Sequence, residues 1–237
     1  MDGRSTERQP GLRAAIVKRG LQMLIGTLFE AAILFVAAGR LDWPMAWAYL
    51  GVFVAVLVVN GAIALRTDPE LIAERGETKE NTKGWDKVIT SLITLSWLGT
   101  LLVAGLDRRF TWSPWLALAW QVGGLAAIVL GYAIASWAML SNRFFSRVVR
   151  IQDDRGQTVA TGGPYAWVRH PGYAGMILYS LATAPALGSL WALVPAGLGA
   201  LALVARTALE DRTLHEELDG YREYAARVRY RLLPGVW

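Results

Sequence analysis

Five long stretches of apolar residues run through the chain, and they limit its possible folds more than any other feature. They extend from about Gly20 to Gly39, Trp43 to Leu65, Val88 to Leu106, Trp112 to Leu140 and Gly172 to Ala205. A helix that crosses a bilayer needs roughly 20 consecutive apolar residues, because the hydrocarbon core is about 30 Å thick. We therefore expect each of the first four stretches to form one transmembrane helix.

The fifth stretch is too long for a single crossing at ordinary tilt, and Pro185 and Gly188 interrupt it. Proline and glycine favour a helix end, so this stretch predicts a transmembrane helical hairpin that returns to its starting side. After it, apolar residues recur at helical spacing from Leu214 to Val228, which predicts a cytoplasmic amphipathic helix. The expected fold class is an all-α integral membrane protein with four single transmembrane helices, a C-terminal transmembrane helical hairpin and this amphipathic helix.

The distribution of basic residues predicts how the chain is oriented in the membrane. Of the 24 Lys and Arg residues, all but Arg40, Arg108 and Arg109 lie in the N-terminal tail, in 66–87, in 141–171 or after residue 205. Because basic residues collect in cytoplasmic loops, we expect both termini and the active site on the cytoplasmic side, of the inner or plasma membrane in a bacterium. A signal peptide ending at 36–38 is the alternative for the N-terminus, although its apolar run is longer than the usual ~7–15 residues.

Composition excludes several classes of protein. Hydrophobic residues make up 54% of the chain and charged residues only 18%, which excludes a disordered or collagen-like chain. The net charge is +5, but the basic residues lie between apolar blocks rather than on one soluble surface, so no nucleic-acid partner is expected. The chain has no cysteine, which excludes disulfides and thiolate metal ligands, and no metal site is expected.

The chain is expected to form one membrane domain over residues 1–237. We divide it into an N-terminal four-helix membrane part, 1–140, and a cofactor-binding catalytic part, 141–237. The outer loops are too short to build a site, so function is expected in the cytoplasmic segments. The first of these contains a predicted short helix from Asp68 to Gly76, with Asp as N-cap, Pro at the first position and Gly at the end.

The segment from Thr161 to Gly175 concentrates residue types that bind ligands. Its glycines allow close approach of the backbone, and its prolines fix the chain. The candidate residues are Gly163, Pro164, Tyr165, Arg169, His170, Pro171 and Tyr173. One interpretation is a ligand site at the membrane surface, and the other is an interfacial loop whose Arg and His contact lipid phosphates.

Two further groups of charged residues follow in the sequence. Glu210 and Asp211 lie near the depth expected for His170, where a carboxylate either binds a cation or a ribose or caps a helix start. Arg229 and Arg231 either hold an anionic group of a substrate or contact lipid headgroups. Both interpretations stay open at this point.

The pattern of these residues resembles the isoprenylcysteine carboxyl methyltransferase family and its relatives among the phospholipid methyltransferases. The resemblance rests on Gly-Pro-Tyr at 163–165, on Arg-His-Pro-x-Tyr-x-Gly at 169–175, and on a C-terminal block at 210–234 with an acidic pair, Tyr-x-x-Tyr and Arg-x-x-Pro. The Asp-Pro-Glu-Leu-x-x-Glu-Arg stretch at 68–75 is similar to bacterial members. Asp211 stands where the family usually has a second glutamate.

The resemblance implies a membrane methyltransferase that binds S-adenosylmethionine in a cytoplasmic pocket, without a Rossmann sheet. It implies a methyl acceptor that is lipid-like, such as a prenylcysteine carboxylate. The implied cofactor-binding residues are Gly163, Pro164, Tyr165, His170, Pro171, Tyr173 and Glu210. The implied catalytic residues are Arg169, Glu210 and Arg231, with the arginines facing the acceptor or bracing the pocket.

Methyl transfer to a carboxylate needs alignment and a dry pocket more than it needs a base, and we expect a lateral opening between the spans to admit a lipid-like tail. Phospholipid N-methylation, the first alternative, would use a base such as His170. A membrane NADPH-dependent reductase of the sterol reductase kind is the second, and a non-enzymatic membrane protein is the third. A transporter is disfavoured because the two halves show no repeat.

Glu30 and Asn60, inside the predicted spans, are further functional candidates. The methyl acceptor and the oligomeric state are not predicted.

Overall fold

The computed structural model describes residues 8–67, 83–114, 116–146 and 148–237, and within these ranges it is all-helical, without a β-strand. The α-helices are α1 (Arg8–Ala38), α2 (Pro44–Thr67), α3 (Gly84–Phe110), α4 (Leu118–Leu140), α5 (Pro171–Ala186), α6 (Leu193–Glu217) and α7 (Tyr221–Arg227). Two 3-10 turns, Asp153–Arg155 and Gly163–Ala166, lie between α4 and α5. The predicted helix at 68–76 lies outside the described residues.

Five of these helices are long and apolar enough to cross a membrane: α1, α2, α3, α4 and α6. The first four correspond to the first four apolar stretches of the sequence. The fifth stretch contains a helix end, because α5 stops at Ala186 and α6 begins at Leu193. With 16 residues, α5 is only about 24 Å long, which is shorter than the roughly 30 Å hydrocarbon core.

Helix α6 continues without a break past residue 205, where the sequence predicts the end of a hairpin. No glycine or proline occurs from residue 200 to 219, so nothing in the backbone stops the helix before Gly220, which has a positive φ of 77°. The predicted amphipathic stripe is therefore divided between the end of α6, with Leu214, and the short α7, with Tyr221. This turn folds α7 back toward the residues that precede α5.

Helices α4 and α5 approach each other more closely than ordinary side chains would allow. A Cβ added to Gly175 would lie 2.4 Å from the carbonyl oxygen of Gly131, and one added to Gly131 would lie 2.7 Å from that of Gly175. Small residues allow such close packing between membrane helices. The contact fixes the first turns of α5, and with them His170 and Tyr173, against α4.

Two buried clusters occupy opposite ends of the helical bundle. The larger one lies where α1 ends, α2 begins and α5 ends, and includes Leu34, Tyr49 and Ala184. The smaller one lies where α5 begins, and contains Tyr165 and Tyr221. The smaller cluster forms one wall of the candidate site.

Candidate functional site

A cavity of about 310 Å³ lies beside the first turns of α5. We call it the first cavity, and its walls come from α3, the 142–160 segment, the 165–176 segment, the second half of α6 and α7. Ligand pockets commonly have volumes of about 300–1,000 Å³. The first cavity is therefore large enough for a small organic ligand.

The Gly-Pro-Tyr motif forms a 3-10 turn that needs glycine at its first position. Gly163 has a positive φ of 57°, and a Cβ there would lie 2.4 Å from the Ser141 hydroxyl oxygen. Pro164 follows it inside the turn and is buried. This geometry places the ring of Tyr165 in the cavity wall, where Asn142 Nδ2 lies 3.4 Å from its hydroxyl oxygen.

Asp211 is the centre of a buried hydrogen-bond network behind the cavity wall. Its side chain is only 1% exposed. Arg169 donates to both of its carboxylate oxygens, at 2.8 and 3.0 Å, and Arg231 donates to Oδ2 at 2.8 Å. The Tyr221 hydroxyl donates to Oδ1 at 2.8 Å. The single carboxylate thus joins α6 to the start of α5, to α7 and to the C-terminal segment.

The other donors of Arg169 hold the chain after α7. Arg169 Nη1 donates to the carbonyl oxygens of Val228 and Arg229, at 3.0 and 2.9 Å. The backbone N–H of Arg169 donates to the Tyr230 carbonyl at 2.9 Å. Arg169 is 8% exposed, and its contacts make it a brace of the pocket rather than a group held out for an acceptor.

His170 lies between this network and the cavity. Its Nε2 atom is 3.2 Å from Asp211 Oδ1, and its backbone N–H donates to the Arg231 carbonyl at 2.9 Å. Its ring lies nearly parallel to that of Tyr173, at 5.9 Å between centroids and 13° between planes. Pro171 then starts α5, where a proline costs no backbone hydrogen bond, and is fully buried.

Glu210 supplies a carboxylate on the cavity side of α6. It lines the first cavity and accepts a short hydrogen bond from the Tyr173 hydroxyl. Its neighbour Asp211 faces away into the buried network. The two acidic residues therefore have different environments, one at the cavity and one behind its wall.

A second buried ion pair supports the opposite wall. Arg206 donates to both carboxylate oxygens of Asp86, at 2.8 and 3.2 Å, and Asp86 also accepts the backbone N–H of Val149 at 2.9 Å. The Arg206 guanidinium carbon lies 5.4 Å from the centre of the Tyr173 ring. The pair thus fixes the start of α3 and the 148–152 segment against α6.

Burial raises the pKa of three tyrosines at the site, Tyr165, Tyr221 and Tyr224. Burial raises the pKa of Tyr165 well above its ordinary value, and burial together with the charge of Asp211 raises the pKa of Tyr221. Burial raises the pKa of Tyr224 to about 12, and its hydroxyl donates to the Tyr165 carbonyl at 2.7 Å. At neutral pH these hydroxyl groups are donors.

The sequence-predicted site residues fall into two groups. Five of them line the first cavity: Tyr165, Arg169, His170, Tyr173 and Glu210. The remaining four shape it from behind: Gly163, Pro164, Pro171 and Arg231.

Sequence reasoning missed the Asp86–Arg206 pair and the central place of Asp211. In the sequence, Asp86 stands just before the third apolar stretch, and Arg206 stands just after the fifth. Burial of both is visible only in three dimensions, because the partners are 120 positions apart.

Asn60 and Glu30, the two polar candidates inside the spans, have different surroundings. Asn60 Nδ2 donates to Ser136 Oγ at 2.8 Å and so joins α2 to α4. Glu30 lies in the wall of a second cavity of about 250 Å³ between the membrane helices. Ile93, Thr94 and Met176 line both cavities, so the two cavities adjoin.

Among the described residues no cluster of three or more His, Cys, Asp or Glu side chains is arranged to hold a metal ion.

Comparison with known proteins connects this site to one family. The sequence model of the isoprenylcysteine carboxyl methyltransferase family matches residues 124–216, which confirms the resemblance stated from the motifs. Protein-S-isoprenylcysteine O-methyltransferase of Homo sapiens is 31% identical over 144 residues, covering 57% of this chain and 49% of the human protein. Protein-S-isoprenylcysteine O-methyltransferase B of Arabidopsis thaliana is 28% identical over 159 residues, covering 61% of this chain and 78% of the plant protein. The chain thus spans about half the length of the human relative.

The fold is similar to that of a solved structure. That structure is the eukaryotic intramembrane Ras methyltransferase ICMT (isoprenylcysteine carboxyl methyltransferase) without a monobody, with a TM-score of 0.54 and 18% sequence identity over 88% of this chain and 74% of that one. Together with the five apolar helices, this similarity identifies the chain as an integral, multi-pass membrane protein.

Proposed function

We propose that this chain is a member of the isoprenylcysteine carboxyl methyltransferase family that transfers a methyl group from S-adenosylmethionine to the carboxylate of a lipid-like acceptor, such as a prenylcysteine. The observation that carries the proposal is the pair of adjoining cavities. The first has Glu210, tyrosine hydroxyls and three arginines in its wall, while the second lies between apolar helices. A polar cofactor and an apolar acceptor tail need such neighbouring sites.

The residues of the first cavity fit S-adenosylmethionine. Its amino group and ribose hydroxyls need an acceptor, which the Glu210 carboxylate supplies. Its positively charged sulfur is favoured near an aromatic face, which Tyr165 offers in the cavity wall. Apolar side chains of the 142–160 segment, among them Phe144 and Val159, line the same space and suit the adenine ring.

When bound, S-adenosylmethionine would supply an electrophilic methyl group, and its transfer to a carboxylate oxygen would break the carbon–sulfur bond and leave a neutral thioether. A carboxylate is ionised at neutral pH, so no residue has to remove a proton from it. The residues of this chain therefore act by binding, by alignment and by excluding water. This makes Glu210 a cofactor contact, while Arg169 and Arg231, whose donors hold Asp211, act as positioning residues.

Arg206, like Arg169, is an arginine of the cavity wall that donates to a buried carboxylate. It lines the first cavity and lies over the ring of Tyr173, one turn of α6 from Glu210. Its pairing with Asp86 fixes the direction of the guanidinium. The pair thus holds the guanidinium beside the cavity with its charge balanced by Asp86, and the choice of a carboxylate acceptor rests on the similarity to the isoprenylcysteine carboxyl methyltransferase family.

The proposal places the first cavity on the cytoplasmic side. The basic residues gather in the segments that form or flank it, as the positive-inside pattern requires. Both termini then lie on that side, α5 and α6 form the hairpin, and the end of α6 together with α7 covers the site. In this arrangement residues 141–237 form the catalytic part and residues 1–140 the membrane part that receives the acceptor.

Cofactor binding tests the proposal most directly. Detergent-solubilised protein is titrated calorimetrically with S-adenosylmethionine, S-adenosylhomocysteine and NADPH, and we expect binding of the two sulfur compounds alone. Glu210→Gln should weaken both by about tenfold, the loss of one charged hydrogen bond. Glu216→Gln makes the same change in an exposed ion pair and should bind as the wild type does. Binding of NADPH alone would mean that the chain is a reductase.

The chemistry of the product tests the acceptor class. Wild-type protein in bilayers is incubated with methyl-labelled cofactor and either an S-farnesylcysteine or phosphatidylethanolamine. Carboxyl methyl esters release labelled methanol in alkali, whereas N-methyl groups do not. We expect alkali-labile label on the S-farnesylcysteine, and stable label on the phospholipid would contradict the carboxylate assignment.

A further inference from the structure

The second cavity continues the first along the same faces of three helices. On α3 the lining residues 90, 93, 94 and 97 follow one another at helical spacing, and on α5 residues 172, 176, 179 and 180 do the same. Residues spaced in this way share one side of a helix. From Thr90 to Trp97 is about 10 Å along α3, so the two cavities together form a cleft that runs from the polar site into the bundle.

Four aromatic side chains line the second cavity. The rings of Tyr132 and Tyr179 stack with centroids 4.5 Å apart and 18° between planes, and Trp97 meets Tyr179 edge-on at 5.6 Å. Phe53 packs against Tyr132 at 6.2 Å. Flat apolar walls of this kind suit an unsaturated hydrocarbon chain.

Glu30 is the acidic residue of this wall, which also contains the hydroxyl-bearing residues Thr94, Tyr132, Tyr179 and Ser180. It lies eight residues before the end of α1, about 12 Å into the span. Its Oε1 atom accepts a long hydrogen bond from Trp97 Nε1 at 3.3 Å. Its Oε2 atom is buried and has no hydrogen-bond partner among the residues that the structure describes.

An unsatisfied carboxyl oxygen is costly at this depth. A buried polar group without a partner loses the hydrogen bond that water would give it, and ionisable residues inside membrane spans mark functional sites by default. A plain hydrocarbon chain in the cavity would leave the Glu30 oxygen unpaired. A chain that carries a hydroxyl or amine group would pair it.

We propose that this enzyme prefers, over an acceptor with a plain prenyl chain, an amphiphile whose apolar body carries a hydrogen-bond donor, and that Glu30 Oε2 accepts from that donor. The inference rests on the proposed methyltransferase function and adds the substrate class. The carboxyl end of the acceptor lies in the first cavity, and its apolar body lies along Ile93, Thr94 and Met176 into the second. Glu30 then selects the acceptor without taking part in methyl transfer.

Binding of two matched probes tests this selection without requiring activity. Farnesol has a hydroxyl donor, whereas farnesyl methyl ether keeps the oxygen and the chain but has no donor. We expect wild-type protein in lipid nanodiscs to bind farnesol at least about tenfold more tightly than the ether, because a site built around a hydrogen bond rejects an analogue that lacks it. Equal binding of both probes, or binding of neither, would overturn the inference.

Variants connect the preference to Glu30. Glu30→Leu should reduce the farnesol-to-ether ratio to about one while the ether still binds, which also shows that the variant is folded. Glu30→Gln keeps an acceptor oxygen and should keep part of the preference. Asn60→Leu, which removes a polar group that pairs with Ser136 outside both cavities, should leave the ratio unchanged. A Glu30→Leu protein that still prefers farnesol would refute the assignment.

Turnover separates this inference from the proposed function. The kcat/KM for an S-farnesylcysteine is compared with that for the same compound bearing a hydroxyl at the far end of its chain. We expect the wild type to prefer the hydroxylated acceptor and Glu30→Leu to lose that preference. If neither acceptor is methylated, the proposed acceptor class fails, and the farnesol and ether titrations still decide the role of Glu30.

Discussion

Arg169 donates two parallel hydrogen bonds to Asp211, from Nε to Oδ1 at 2.8 Å and from Nη2 to Oδ2 at 3.0 Å. Both side chains are buried. A two-pronged guanidinium–carboxylate contact fixes orientation as well as distance. It therefore sets how the start of α5 lies against α6, and with it the positions of Tyr173 and Glu210 across the cavity.

Removing the charge of Asp211 should destabilise the whole site. In Asp211→Asn the buried guanidinium of Arg169 loses its counter-charge, and breaking a buried pair in this way costs about 3–5 kcal/mol. We expect a clear drop in the melting temperature of the solubilised protein. Glu216→Gln, at an exposed pair, is the control and should melt as the wild type does. An unchanged melting temperature in Asp211→Asn would show that the network does not support the fold.

Gly163 should not tolerate a side chain. Its φ of 57° is unfavourable for other residues by roughly 1–2 kcal/mol, and the added Cβ would lie 2.4 Å from Ser141 Oγ. We expect Gly163→Ala to lower the melting temperature and to weaken S-adenosylmethionine binding, because Tyr165 would move. Gly162→Ala is a close control, since a Cβ there has no neighbour within 4 Å. Equal behaviour of the two variants would contradict the role given to this turn.

The sequence predicts the helices of the membrane part well and the site less completely. Four apolar stretches became α1 to α4 because length and hydropathy alone decide such segments. The predicted end of the second hairpin helix near residue 205 was wrong. The charges of Arg206 and Asp211 suggest that a new, solvent-exposed helix begins there. In the structure each of them has a buried partner, and α6 continues through both. Periodicity reports which face is apolar, but not which distant charge will neutralise a polar residue on it.

For the motif residues too, the sequence predicted one part and left another open: it identified the residues but not the role of each. Tyr173 and Glu210 were predicted as site residues and lie together at the cavity. Arg169 and Arg231 were predicted to face the acceptor or to brace the pocket, and their contacts with Asp211 favour the brace. A sequence pattern marks which residues are needed. The choice between touching a ligand and holding another side chain depends on distances that the pattern does not contain.

The hydrogen bond from Tyr173 to Glu210 should contribute to cofactor affinity. Tyr173→Phe keeps the ring beside His170 and Arg206 but removes the hydroxyl that fixes the carboxylate. Loss of one such bond is worth about 1 kcal/mol, so we expect S-adenosylmethionine to bind roughly fivefold more weakly in calorimetry. Tyr230→Phe alters a partly exposed tyrosine that does not line the cavity and serves as control. Unchanged affinity in Tyr173→Phe would place the cofactor elsewhere.

The buried tyrosines should make the fold sensitive to high pH. Burial raises the pKa of Tyr224 to about 12, whereas an unfolded tyrosine titrates near 10. The folded protein therefore holds this proton more tightly, so the contribution to stability is complete below about pH 10 and is lost as the pH rises toward about 12. We expect the melting temperature of the wild type to fall across that window.

Tyr224→Phe isolates this contribution. The variant lacks the hydrogen bond to the Tyr165 carbonyl and should melt lower than the wild type at neutral pH, by an amount that reflects about 1 kcal/mol. Because it has no proton to lose at this position, its melting temperature should fall less steeply between pH 10 and 12. Tyr230→Phe, at a partly exposed position, should keep the wild-type slope. If Tyr224→Phe keeps it as well, other groups carry the alkaline loss, and the ordering of α7 against the Gly-Pro-Tyr turn does not depend on a neutral Tyr224.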